Sequence, residues 1–111
     1  MENKKYEIIW SPKAYRNIQE IYAFTLEKLG NERYAIKIVK KILKAINSLR
    51  LFPFMYPKIY IDRKFKRQLR RATVGKYAVI YEVENNKILI LYIFHENQNY
   101  SNLLLNQENL N

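Results

Sequence analysis

Apolar and polar positions alternate over Tyr6-Glu7-Ile8-Ile9-Trp10 and predict a first strand. Ser11-Pro12 then starts a helix, with Ser as N-cap and Pro at the first helical position. The helix runs from Pro12 to Leu29, its stripe being Ala14, Ile18, Ile21, Tyr22, Thr25 and Leu29, and Gly30 stops it. Asn31 caps a second helix with Glu32 in its first turn. Ala35, Ile38, Val39, Ile42, Ala45, Ile46 and Leu49 form its apolar stripe, while Lys37, Lys40, Lys41 and Lys44 lie off it. A connection this short predicts an antiparallel helical hairpin.

Pro53 and Pro57 end the helical region, and Phe52 to Ile61 reads as an aromatic-rich loop. Lys66 to Thr73 predicts a second strand, Val74-Gly75-Lys76 a turn, and Tyr77 to Val83 a third strand with Tyr77, Val79, Tyr81 and Val83 on one face. Glu84-Asn85-Asn86-Lys87 predicts a hairpin turn, and Ile88 to Phe94, apolar on both faces, a central strand. Asn97 to Asn111, with six Asn, reads as a tail with a short helical turn at Leu103 to Leu105. The order β-α-α-β-β-β predicts an α+β fold, with the hairpin of helices packed on one face of a small, curved, mostly antiparallel sheet. The opposite sheet face is then partly open and is the first place to look for function.

The 111 residues suit one domain, and 49% apolar content supplies a core and excludes compositional disorder. Without Cys there is no disulfide framework, thiol nucleophile or Cys-ligated zinc. No apolar run is long enough to span a bilayer, and no apolar segment follows Met1-Glu2-Asn3-Lys4-Lys5 as in a signal peptide, so a cytoplasmic location with no membrane partner is expected. Twenty Lys and Arg against ten Asp and Glu leave a net charge of +10, which calls for an acidic partner.

The charge concentrates in Arg63, Lys64, Lys66, Arg67, Arg70, Arg71 and Lys76, seven cations in fourteen residues with no acid among them. On a strand Arg67 and Arg71 point one way and Arg70 the other. Phosphate binding needs such charge, and the guanidinium adds a planar fork; charge guarding a solvated edge strand is the plainer account. His95, the single histidine, stands at the end of the last strand as a candidate acid or base. Its plainer account is a partly buried ring bonded to backbone. With one His and no carboxylate cluster beside it, no metal site or cofactor is expected. Most of the ten Tyr suit a core with the hydroxyl at its rim; Tyr77 and Tyr81, following the basic run, are the better surface candidates for stacking on bases.

Several segments in order resemble the RelE/ParE superfamily of bacterial type II toxins. They are the opening strand into Ser11-Pro12, then Ile18-Gln19-Glu20-Ile21-Tyr22, Leu49-Arg50-Leu51-Phe52-Pro53, Leu69-Arg70-Arg71, Val74-Gly75-Lys76-Tyr77-Ala78-Val79-Ile80-Tyr81, and Ile93-Phe94-His95-Glu96-Asn97-Gln98. The resemblance covers residues 5 to 99. It implies a toxin neutralised by a co-encoded antitoxin. RelE-like members cut messenger RNA on the ribosome without a metal; ParE-like members inhibit DNA gyrase. Carried over, His95 falls where YoeB-like RNA cutters keep an acid–base histidine, and Arg70 and Arg71 near a phosphate-holding arginine. Lys76 and Tyr81 support that site, while Arg63, Lys64, Lys66, Arg67 and Tyr77 would hold RNA or antitoxin. Two positions depart from the RNA-cutting pattern. Ala78 stands where many members carry an arginine, and Pro53-Phe54-Met55-Tyr56 lacks the glutamate base, leaving Lys64, Lys66 or Lys76 for that role. The expectation is a ribosome-dependent endoribonuclease, with a gyrase inhibitor or an inactive, antitoxin-binding member as the alternatives.

Overall fold

The structure, a computed structural model, describes residues 5–59 and 68–97. The elements are β1 (Glu7–Trp10), α1 (Pro12–Leu29), α2 (Glu32–Ser48), β2 (Lys58–Ile59), β3 (Leu69–Val74), β4 (Tyr77–Glu84) and β5 (Lys87–His95). Both helices start as the sequence predicts. The Ser11 hydroxyl accepts from the Ala14 N–H at 2.9 Å, and the Asn31 side chain accepts from the Tyr34 N–H at 3.0 Å. Gly30 closes α1 in the left-handed conformation at φ 59°, its N–H donating to the Leu26 carbonyl at 2.8 Å.

The strands form one sheet in the order β1-β5-β4-β3-β2. Only the β1–β5 pairing is parallel; the other three are antiparallel. The helical hairpin covers one face. There Ala14, Ile21, Ile42, Ile46 and Leu49 pack on Ala72, Val79, Tyr81, Ile88, Ile90 and Ile93. Among the described residues no helix is long and apolar enough to cross a membrane.

Four expectations need correction. Lys58–Ile59, read as part of a loop, is a fifth strand at the sheet edge; two residues are too few to display a period-two pattern. The middle of the sheet belongs to β4, with β5 between β4 and β1. The face away from the helices is not open at its centre, because Leu69, Ala78, Ile80, Tyr92 and Phe94 form a second buried cluster there. Tyr81 is not a surface ring but is fully buried against the helices. The start of the strand read from Lys66 and the tail turn at Leu103 to Leu105 lie outside the described residues.

One irregularity positions the site. Ile80 pairs with Tyr92 but Tyr81 pairs with Ile90, so Leu91 is an extra residue in β5. The backbone around this bulge is satisfied by α1 instead of by β4. Ser11 Oγ donates to the Leu91 carbonyl at 2.9 Å, and the Ile93 N–H donates to Asn17 Oδ1 at 3.0 Å. The extra residue reverses the alternation. Ile88 and Ile90 face the helices, and beyond the bulge Ile93 does so again, where strict alternation would have placed Tyr92. His95, two residues past Ile93, therefore lies on the helix side.

Candidate functional site

His95 pairs in register with Tyr77, and their rings meet edge to face at 5.3 Å. The strand end is fixed beside the β3–β4 turn, since the Glu96 N–H donates to the Lys76 carbonyl at 2.8 Å. Gly75 makes that turn at φ 59°, a conformation open to glycine at little steric cost. The Asn97 N–H donates to His95 Nδ1 at 3.2 Å. That contact engages the Nδ1 edge of the ring with backbone and leaves the Nε2 edge as the one facing away from it.

His95, Tyr77 and Lys76 line a cleft of about 360 Å³ under the helical hairpin, with Phe24, Lys28, Tyr34 and Lys41 on the opposite wall. Three ammonium groups border it, and no carboxylate does among the described residues. Lys28 lies over the Phe24 ring at 5.7 Å. On the other side of Phe24, Tyr77 and His95 a second groove carries Lys13, Asn17, Glu20 and Asn97. Phe24, Tyr77 and His95 thus form the ridge between two depressions. Chemically, the first cleft is a cationic, aromatic-walled recess whose charge suits an anionic group.

Arg70 and Arg71 do not converge on it. Arg70 lies on the helix face, where its Nη1 donates to the Tyr56 carbonyl at 2.7 Å and its guanidinium stacks over Phe54 at 5.1 Å. It pairs through Tyr81 to the level of Ile90, five residues and about 15 Å along the strand from His95. Arg71 points to the other face, over the Phe94 ring at 5.9 Å. The Tyr81 hydroxyl donates to the Pro53 carbonyl at 2.9 Å, tying the loop after α2 to the sheet. Burial pushes its pKa up to about 12, against the opposing pull of the Arg70 guanidinium. Arg63, Lys64, Lys66 and Arg67 lie outside the described residues. The structure thus brings together Lys76, Tyr77 and His95, and separates them from Arg70, Arg71 and Tyr81. Lys28, Lys41, Phe24 and Tyr34, which no sequence motif singles out, line the same recess. Their sequence signal was the short Gly30-Asn31 connection, which brings the end of α1 and the start of α2 together.

Residues 8–100 match the family described as the ParE toxin of the type II toxin–antitoxin system parDE. The chain belongs to the ParE toxin family. Solved structures agree on the fold. A chain of the chromosomal ParDE system of Pseudomonas aeruginosa is 19% identical with a TM-score of 0.68, covering 83% of this toxin and 97% of that chain. A chain of an archaeal RelE–RelB complex from Pyrococcus horikoshii is 18% identical with a TM-score of 0.58, covering 86% and 99%. A RelBE toxin–antitoxin complex from Mycobacterium tuberculosis gives 17% identity, a TM-score of 0.55, and coverage of 82% and 98%. No curated protein matches the chain significantly. This ParE-family toxin shares with all three structures the helical hairpin on a mixed sheet.

Proposed function

We propose that this toxin acts by binding DNA gyrase and not by cutting RNA. The observation that carries this reading is the distribution of Arg70, Arg71 and His95. Cleavage of a phosphodiester by its 2′-hydroxyl needs a base, an acid and cations around one phosphate. Here the two arginines occupy opposite faces of β3, one stacked on Phe54 and the other on Phe94. The imidazole has its Nδ1 engaged by the Asn97 N–H and its ring against Tyr77, away from both guanidinium groups. These groups support binding surfaces better than a single reaction centre. Gyrase and its DNA are cytoplasmic in bacteria, so the cytoplasm is the site of action in this reading.

The partner in the resting state is an antitoxin. An acidic segment suits the Lys28, Lys41 and Lys76 recess, where carboxylates meet the ammonium groups and an apolar side chain meets Phe24 and Tyr34. The same recess, with an imidazole at its edge, is the feature that favours the RNA-cutting reading. Two assays on one preparation separate them. Purified toxin is expected to lower gyrase supercoiling while leaving messenger RNA whole in a translation extract. Cut messenger with undiminished supercoiling would overturn the proposal, and activity in neither assay would leave an antitoxin-binding protein without a toxic target.

A further inference from the structure

Helix α2 carries Arg33, Lys37, Lys40, Lys41 and Lys44 against a single acid, Glu32. All five cations are exposed. On a turn of 3.6 residues they fall within an arc of about 100°, opposite the buried Ala35, Ile42 and Ile46. The first and last are eleven residues apart, a rise of about 16 Å along the axis. Within the arc each cation has a like charge three or four residues away, at 33–37, 37–40, 37–41, 40–44 and 41–44. Such pairs repel and weaken the helix. Helices with solvated faces ordinarily intersperse acids among their bases. None of these five cations is in an ion pair among the described residues. A row of unneutralised charge that works against its own helix points to an external anion.

We infer that this face of α2 binds the phosphate backbone of double-stranded DNA without regard to base sequence, a binding activity independent of the gyrase reading. The spacing and chemistry identify the ligand. A rise of 16 Å matches about five phosphates along one strand of B-DNA at 3.4 Å each. The one aromatic beside the row, Tyr34, lines the recess with Lys41 at its edge, and a single ring is no platform for successive unpaired bases, which disfavours single strands. Charge on a single face tracks the backbone of one strand from outside the groove, and A-form RNA presents its phosphates with a different shape, so duplex RNA is the comparison that tests the fit. Lysines dominate the row, and they supply point charge in place of base-reading forks.

The test titrates the full-length toxin, without gyrase, into fluorescent 30-base-pair DNA duplexes of two unrelated sequences over a range of salt. Substituting Arg33→Gln, Lys37→Gln, Lys40→Gln and Lys44→Gln together is expected to reduce the slope of log K against log salt by about 3–4, equally for both sequences. Lys40→Gln alone is expected to reduce it by about one, which keeps the result readable if the fourfold variant folds poorly. The control removes the same charge elsewhere, at Lys5, Arg16, Lys58 and Lys87, all exposed, and is expected to keep the slope. Equal loss in the control would reduce the effect to net charge and overturn the inference. So would equal affinity for a duplex RNA of the same length, or for poly-glutamate as a mimic of an acidic protein segment.

Discussion

The Tyr81 hydroxyl is a buried donor to the Pro53 carbonyl. Tyr81→Phe keeps the ring and deletes that bond, so unfolding in denaturant at neutral pH is expected to show a loss of about 1–2 kcal/mol. The sign of the pH effect follows from the raised pKa of about 12. Between about pH 10 and 12 the unfolded phenol loses its proton while the folded one keeps it. Stability therefore falls as pH rises through that window, and the fall is expected to be shallower in Tyr81→Phe. Asn17 gives a second expectation. Its Oδ1 accepts from the Ile93 N–H at the bulge, so Asn17→Ala strands a partly buried donor at a cost of about 1–3 kcal/mol, read as a lowered melting temperature. Neither role was legible in the residues. Tyr81 follows a basic run and reads as a surface ring; Asn17 is outside the apolar stripe of α1 and belongs to no motif. Each has its partner 28 or 76 residues away, where a local pattern carries no information.

The helix starts, the stop of α1 and both apolar stripes were legible, because they are properties of neighbouring residues; the end of α2 at Ser48 was not, since the first stop signal after it is Pro53. Strands were legible in part. The pairing of β4 with β5 follows from the Glu84-Asn85-Asn86-Lys87 turn, where Asn85 takes φ 57°. The bulge at Leu91 does not follow, since its cause is the match between β5 and the polar groups of α1. At the β3–β4 turn, a methyl at Gly75 meets nothing within 4 Å, so any cost of Gly75→Ala is the positive φ alone. Thermal melting is expected to show a loss of about 1 kcal/mol. In α2, Lys37→Glu replaces three repulsive neighbours with attractive ones. That variant is expected to be more stable by about 0.5–1 kcal/mol at low salt, with the gain shrinking at high salt. It is expected at the same time to bind DNA more weakly, as a helix under selection for its ligand and not for its stability would.

Across the whole molecule the question is which charged groups share a surface. If the toxin works by binding gyrase, His95→Ala is expected to keep its toxicity in a growth assay. Removal of a true acid–base group would lower a rate about 10²–10⁴-fold. Substituting Lys28, Lys41 and Lys76 together by Gln is expected to weaken antitoxin capture, checked by calorimetry on the purified pair. The order of elements apart from the short edge strand β2, the helical hairpin, the antiparallel strands, the basic character and the superfamily resemblance could all be read along the chain. Each depends on spacing between near neighbours or on composition, both of which are written into the polypeptide directly. The face on which His95 emerges could not. Strict alternation from Ile90 would send it away from the helices; one extra residue at Leu91, held by Ser11 and Asn17, turns it towards them. Which lysines meet the imidazole, and that two adjacent arginines stack on aromatic rings at opposite faces, likewise arose from packing. Contacts between distant segments are settled by the shared burial of apolar surface, and no stretch of sequence contains that information alone.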